Sequence, residues 1–358
     1  MVPKDHTKMR AEEPRNMVKV GLIGLGYWGP NLARVAMTHE LATLTMVCDQ
    51  DPRRWRDMSR KLPGVTFTQD AEQIFKNSRI DAILIATPAG THYGLAKAAL
   101  EANKHTFVEK PLALSSEECA DLIELAESRQ QILMVGHVFL YNAAVRKLRE
   151  YIESGEVGKL YYLYSQRLSL GKIRNDVNAL WNFAPHDVSI ILYLLGENPS
   201  VVTAKGYSYI QESNEDVAFM TLDFPSGVAA NVHISWLDPH KVRRMTLVGS
   251  KKMVVYDDTS AEAKLTVYDK GISRAEPTRY LGDFKSYGDF QLLLRSGDIF
   301  IPKINLTEPL EMEFAHFIEC INSNSRPLSD GENGLLVVKV LEAASKSLKG
   351  GGVPVKVE

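Results

Sequence analysis

Cysteine is scarce in this chain: Cys48, Cys119 and Cys320 are the only three in 358 residues, far apart and without a CxxC pair. That spacing argues against a disulfide framework and against a zinc cluster, and it fits a reducing cytoplasm. An excess of either charge is also missing. The 42 Lys and Arg stand against 44 Asp and Glu, a formal net charge of −2, and the basic residues form no block or stripe. Neither a nucleic acid nor an anionic membrane is therefore an expected partner, whereas a small anionic ligand is allowed. Long apolar runs are absent, so no membrane span is expected. The first sixteen residues are charged, contain Pro3 and Pro14, and lack the apolar core of a signal peptide; residues 1–16 read as a flexible tail. No internal repeat or low-complexity segment is visible. The histidines have no partners at ligand spacing, so no metal is expected.

What is present begins at Val18. The apolar run Val18–Ile23 leads into Gly24-Leu25-Gly26-Tyr27-Trp28-Gly29, and a second run ends in Asp49, twenty residues past Gly29. This order reads as strand, tight turn, helix, strand, acid. Gly24 permits the turn, Gly26 lets backbone approach a pyrophosphate, and Gly29 lets the helix pack on the sheet with the phosphates at its N-terminal dipole. The Asp49 carboxylate is placed to accept from a ribose diol and repels a 2′-phosphate, which favours NAD over NADP. Arg53 and Arg54 speak the other way, either as a 2′-phosphate site or as a solvated helix start.

A chain of this length exceeds what one core usually serves. Through residues 17–138 short strand-like runs (Ala42–Cys48, Ala82–Ala86, His105–Val108, Ile132–Val135) alternate with helical segments (Tyr93–Ala102, Glu117–Arg129), which implies a doubly wound parallel sheet, a Rossmann domain. Residues 139–358 differ. After one amphipathic helix (Ala143–Ser154), strands at Leu160–Ser169, Val201–Tyr209, Asp216–Phe224, Val228–Ile234, Arg243–Val248 and Met253–Tyr256 follow with a single helical interruption near Pro185–Leu195. Helices close the chain at Leu310–Ser323 and Gly334–Lys349. An α+β domain with a large, mostly antiparallel open sheet is expected. The fold class is thus α/β for the first domain and α+β for the second.

In a doubly wound sheet, ligands sit beyond the carboxyl ends of the strands. Three segments fall there: Ala86-Thr87-Pro88-Ala89-Gly90-Thr91-His92, Glu109-Lys110-Pro111 and Gly136-His137. A lysine at a strand end beside a nicotinamide can bond a substrate hydroxyl and steer its proton. Otherwise Lys110 is a surface lysine before a turn proline.

Taken with Trp181-Asn182-Phe183-Ala184-Pro185-His186-Asp187, these motifs resemble the glucose-fructose oxidoreductase, inositol dehydrogenase and rhizopine catabolism family of NAD(P)-dependent sugar oxidoreductases, over residues 17 to 350. The resemblance implies that the open sheet covers the nicotinamide end of the Rossmann domain and mediates a homodimer or homotetramer. It implies Lys110 and His186 as catalytic residues. Gly24, Gly26, Tyr27, Trp28, Gly29, Asp49, Thr87, Pro88, His92, Glu109, Lys110 and His137 would hold NAD; His92 reads equally as a turn cap. Substrate would meet Lys110, Tyr141, Arg167, Lys172, Arg174, Asn182 and His186, with Arg146, Asn175 and Trp181 flanking them. Many members carry aspartate where this chain has Asn182, and an amide cannot act as a base; proton transfer therefore shifts to His186, assisted by Lys110. Asp187 is either a partner of these groups or a charge placed at a helix start. The segment from Ser165 to Asp187 is most similar to a subgroup that oxidises the C3 hydroxyl of UDP-linked N-acetylaminosugars, so a nucleotide sugar is the expected small-molecule substrate.

Overall fold

The computed structural model describes residues 16–358 except Lys172, Asn175, Asp176, Ser213 and residues 273–293. The sequence-predicted tail therefore lies almost wholly outside the described residues, as do Lys172 and Asn175.

The first half alternates as expected: β1 (Val18–Ile23), α1 (Gly29–Thr38), β2 (Ala42–Cys48), α2 (Pro52–Ser59), β3 (Thr66–Thr68), α3 (Glu72–Phe75), β4 (Ala82–Ile85), α4 (His92–Glu101), β5 (His105–Glu109), α5 (Ser116–Ser128) and β6 (Leu133–Gly136). The six strands form one sheet in the order β3-β2-β1-β4-β5-β6, with every pair parallel. β4 is buried at all four residues, as a central parallel strand covered on both faces must be. The order reverses between β1 and β4, and the loops that follow these two strands open at that crevice.

The second half runs through a 3₁₀ turn at Val138–Tyr141, then α6 (Ala143–Glu153), β7 (Leu160–Leu168), α7 (Ala179–Leu195), β8 (Val201–Tyr207), β9 (Val217–Asp223), β10 (Ala229–Ser235), β11 (Val242–Gly249), β12 (Met253–Asp257), β13 (Leu265–Ile272), β14 (Leu294–Phe300), α8 (Pro309–Ser323), α9 (Gly331–Lys349) and β15 (Val355–Lys356). Nine strands make a second sheet in the order β14-β13-β12-β11-β7-β10-β9-β8-β15, antiparallel except where β7 meets β10. One face is buried under α6, α7 and α9. The other carries a row of aromatic rings, with Tyr162 beside Tyr164, Tyr207 beside Tyr209, and Phe219 stacked on His233 at 4.4 Å.

One helix differs from expectation. α7 starts at Ala179, not near Pro185, because Asn178 caps it: its side-chain oxygen accepts from the Trp181 amide at 3.0 Å. Pro185 lies inside the helix, where burial on most sides outweighs the one main-chain bond a proline removes. Asn182 and His186 are thereby four residues apart on one helix and share a face.

The two halves interlock. Leu310, Phe314, Phe317, Ile318 and Cys320 of α8 pack into the core on one face of the first sheet, and Val338 of α9 into the core on the other. The Val135 amide donates to the Ser329 carbonyl at 2.7 Å, and Glu342 of α9 accepts from the Ser116 amide and hydroxyl at the start of α5.

Candidate active site

The coenzyme end is built by glycine. Gly24 has φ of +101°, and a Cβ there would meet the Ala86 carbonyl at 2.6 Å; a Cβ on Gly29 would stand 2.0 Å from the Gly24 carbonyl. The turn and the start of α1 are in contact, with no room for a side chain. In front of Gly26, chain neighbours aside, a Cβ would meet among the described residues just the Arg54 guanidinium within 4 Å, at 3.7 Å. α1 begins with no side-chain cap and no acidic residue in its first turn; Pro30 carries no N–H and the Asn31 amide turns back to the Trp28 carbonyl at 2.9 Å, so the end of the helix faces the turn without a carboxylate of its own to repel an anion. Asp49, 7% exposed, accepts from the Leu25 amide at 2.6 Å and from Arg54 at 3.1 Å, while its other oxygen accepts from the Asp51 amide. The carboxylate is thus fixed against the glycine turn and balanced by Arg54, the residue that spoke for a 2′-phosphate. These features fit a dinucleotide. Tyr27 is 94% exposed and projects into solvent.

His92, buried at the start of α4, ties two site loops together. Its Nδ1 lies 2.7 Å from the Pro111 carbonyl and its Nε2 lies 2.9 Å from the Thr87 carbonyl. The sequence left it between coenzyme contact and turn cap; the ring nitrogens are taken up by backbone. Thr87 is further held by the Thr91 hydroxyl at 2.7 Å.

Lys110 leaves the carboxyl end of β5, and its Nζ donates to the main-chain carbonyl of Asn182 at 2.9 Å. The contact places the lysine under the face of α7 that carries His186. Burial holds the ammonium below the usual lysine range; Glu109 opposes this, and Arg167 and Arg174 add to it. His137, just past β6, is 1% exposed with neither ring nitrogen bonded to protein, and burial together with Lys110 pushes it down to about 3. His186 presents its ring edge-on to Phe139 at 5.1 Å, with a buried Nδ1 that has no partner. Burial lowers it well below the usual histidine value, and Lys110, Arg167, His137 and Arg243 reinforce that shift. Both imidazoles are therefore neutral near pH 7, each keeping a lone pair for a hydrogen bond, and the burial that keeps them neutral also weakens them as bases.

Arg167 is accounted for differently. It is buried, its Nε donates to Asp187 at 2.5 Å, and the Ser165 hydroxyl donates to the other oxygen of the same carboxylate at 2.5 Å. Its guanidinium lies 4.7 Å over the Phe139 ring. Asp187 is thus the partner of Arg167, and with α7 beginning at Ala179 it does not stand at a helix start. Tyr141 is buried with its hydroxyl 3.3 Å from the Ser329 hydroxyl and Arg146 over its ring, which places it in the packing between halves. Trp181 donates to the Ser345 hydroxyl at 2.9 Å. Arg174 lies close enough to act on Lys110.

Sequence reasoning missed Phe139 and Arg243. Arg243 on β11 sits directly opposite Arg167 on β7, is bonded to Asp258 at 3.2 Å, and shares the Phe139 ring with it. Only strand register brings these cations together, and register has no local signal in the sequence. Among the described residues no group of His, Cys, Asp and Glu is arranged to hold a metal ion, and no helix is long and apolar enough to cross a membrane.

Comparison with known proteins agrees with this geometry. A family described as "Oxidoreductase family, NAD-binding Rossmann fold" matches residues 18–137, and the GFO/IDH/MocA C-terminal domain matches residues 145–255, together more than half of the chain. The chain is 29% identical over 230 residues to the 2,7-anhydro-N-acetylneuraminate hydratase of Escherichia coli, a span covering 60% of this chain and 61% of that protein. It is 26% identical over 343 residues to the myo-inositol 2-dehydrogenase of Thermotoga maritima, 93% of this chain and 96% of that one. It is 29% identical over 230-odd residues to the UDP-N-acetylglucosamine 3-dehydrogenase of Acidithiobacillus ferrooxidans, 64% of this chain and 71% of that one. The solved structure of that last enzyme superposes with a TM-score of 0.77 at 23% identity, covering 93% of this chain and 98% of the other. An oxidoreductase from Agrobacterium radiobacter, solved in complex with NAD+, L-tartaric acid and magnesium, gives 0.77 at 20% identity, covering 96% and 99%.

Proposed function

The protein belongs to the Gfo/Idh/MocA oxidoreductase family, and we propose that it oxidises the C3 hydroxyl of a UDP-linked N-acetylaminosugar, UDP-N-acetylglucosamine or its uronate, to a ketone. NAD bound at the glycine turn supplies the hydride acceptor. His186, neutral and partly open to the site, accepts the hydroxyl proton; Lys110, fixed by the Asn182 carbonyl, bonds the same oxygen and orients it. The observation that carries the reading is this convergence of Lys110, His137 and His186 at the end of β5, under α7. Asn182 contributes its backbone oxygen to the lysine, a contact indifferent to whether residue 182 is an amide or an acid. Of the cations that act on Lys110 and His186, Arg167 is held by Asp187 and Arg243 by Asp258, so the anionic group of the substrate is the part of this reading that the calorimetric comparison below decides.

Calorimetric titration of NAD-saturated protein with UDP-N-acetylglucosamine, UDP-N-acetylglucosaminuronate, UDP and myo-inositol is expected to show binding of a UDP-sugar, with NADH absorbance rising in the same sample. Oxidation of myo-inositol alone would replace this substrate by a free polyol, the reading that the Thermotoga maritima relative favours. Binding of UDP compounds with no NADH formed would leave an NAD-binding module without turnover.

The aromatic outer face of the second sheet is the surface at which we place contact between copies of the chain, as a homodimer or homotetramer. Tyr162, Tyr207 and Phe219 are all exposed there, and large apolar patches on soluble proteins mark interfaces. Phe219→Glu is expected to shift the sedimentation coefficient to that of a monomer with NAD binding intact. An unchanged coefficient would move the interface elsewhere.

A further inference from the structure

One aromatic ring that the reaction above does not use touches three of the groups around it. Phe139 lies in the 3₁₀ turn Val138–Tyr141, just past the carboxyl end of β6. The His186 imidazole of α7 meets its ring at a centroid distance of 5.1 Å and an interplanar angle of 72°. The Arg167 guanidinium of β7 lies over the same ring at 4.7 Å, and that of Arg243 on β11 at 6.0 Å. Edge-to-face ring pairs and cations over a ring are both favoured at such separations. The three neighbours come from three different elements of the second domain, and the ring comes from the turn that joins the two halves.

The arginines have other anchors. Strand register sets Arg243 directly opposite Arg167, where like charges repel, and each is held by its own carboxylate, Asp258 and Asp187. Their guanidiniums also lie on Phe139, whose negative π cloud draws cations. His186 has less to hold it. Its Nδ1 is buried with no hydrogen-bond partner, so neither a carbonyl nor a carboxylate fixes the imidazole from that nitrogen, the usual means of orienting a histidine. Contact with the Phe139 ring remains. That ring sits on a fixed base: the Phe139 carbonyl accepts from the Asn142 amide at 3.1 Å, the Leu140 amide donates to the His137 carbonyl at 2.9 Å, and Leu140 and Tyr141 are buried. A flat ring on such a base can hold the plane of its neighbour, which an aliphatic side chain of similar bulk cannot.

We propose that Phe139 is a positioning residue for proton transfer, its ring setting the plane of the His186 imidazole while it carries the Arg167 and Arg243 guanidiniums on its own π cloud. The proposal rests on His186 accepting the hydroxyl proton and holds whichever sugar or polyol is oxidised. An imidazole turned out of that plane presents its free nitrogen off the line of the hydroxyl, and a misplacement of about 1 Å in such a step costs on the order of 10²-fold in rate. Because the ring acts through His186, the loss falls on kcat.

Two readouts on the NAD-saturated protein test it. NMR of histidine-labelled wild type, with His186 assigned from its absence in His186→Gln, is expected to show ring protons displaced by the Phe139 ring current. Phe139→Leu returns them toward the positions of an unpacked histidine, and Phe139→Tyr keeps them displaced. With whichever of UDP-N-acetylglucosamine and myo-inositol the wild type oxidises, Phe139→Leu is expected to lower kcat about 10–100-fold at a KM within about twofold of wild type, and Phe139→Tyr to recover most of the rate. Full kcat in Phe139→Leu, or an equal loss in the leucine and tyrosine variants, overturns the proposal. If wild type oxidises neither compound, the substrate reading fails, and the resonances alone decide: a His186 ring unmoved by Phe139→Leu overturns the positioning. Should Phe139→Leu fail to fold, undisplaced His186 ring protons in wild type overturn it, and displaced ones with the rate kept in Phe139→Tyr support it.

Discussion

Lys110→Ala lowers kcat by roughly 10²–10⁴-fold, the range that a positioned acid or base supplies, while NAD still binds in calorimetry. The loss has two sources that a second variant separates. Alanine removes both the group that orients the substrate oxygen and a proton carrier held below the ordinary lysine range by burial. Arginine keeps the cation and cannot release its proton. An ammonium with a lowered pKa is lost as pH rises through that value, so the wild-type rate profile carries an alkaline limb below the range of an exposed lysine. Lys110→Arg is expected to abolish this limb while recovering part of the rate. Should Lys110→Ala turn over at the wild-type rate, the assignment of the lysine to the reaction fails, and His186 alone would have to carry proton transfer.

Removing the carboxylate that holds Arg167 is the second large effect. Asp187→Ala leaves a buried guanidinium facing Phe139 and, across the strand pair, Arg243. Breaking a buried pair from one side costs about 3–5 kcal/mol, because the remaining charge is desolvated without compensation. Denaturant unfolding should show that loss as a lower midpoint at an unchanged slope. Asp187→Ala combined with Arg167→Met is expected to be more stable than Asp187→Ala alone, since the second change removes the stranded charge. A single variant within 1 kcal/mol of wild type would mean that Arg167 reaches solvent when released, contrary to its burial.

The coenzyme end was legible because its determinants are local. Gly24, Gly26, Gly29 and Asp49 lie within one strand-helix-strand unit, and each requirement there is steric or electrostatic at a fixed chain spacing. Lys110 and His137 followed from the rule that ligands gather at strand ends. The second domain was legible in kind but less so in detail. Pro185 suggested a helix start, whereas Asn178, seven residues earlier, caps the helix that contains it. β3, β13, β14 and β15 escaped notice, two of them as short as three and two residues. Arg243 escaped for a different reason: it reaches the site through the pairing of β11 with β7. A lone arginine on an amphipathic strand looks like a solvated charge until that long-range packing is known.

The return of α8 and α9 to the first domain bears on how the chain comes off the ribosome. Strands β1 to β6 are synthesised early and could pair at once, yet one face of their sheet is completed by Phe314, Phe317 and Ile318, and the other by Val338. Until those residues emerge, apolar surface on both faces stands open, and the amide of Val135 lacks the carbonyl of Ser329. The nascent N-terminal half is therefore a client for whatever shields apolar surface during translation, and a chain stopped before residue 310 is a substrate for proteolysis instead of a smaller folded protein.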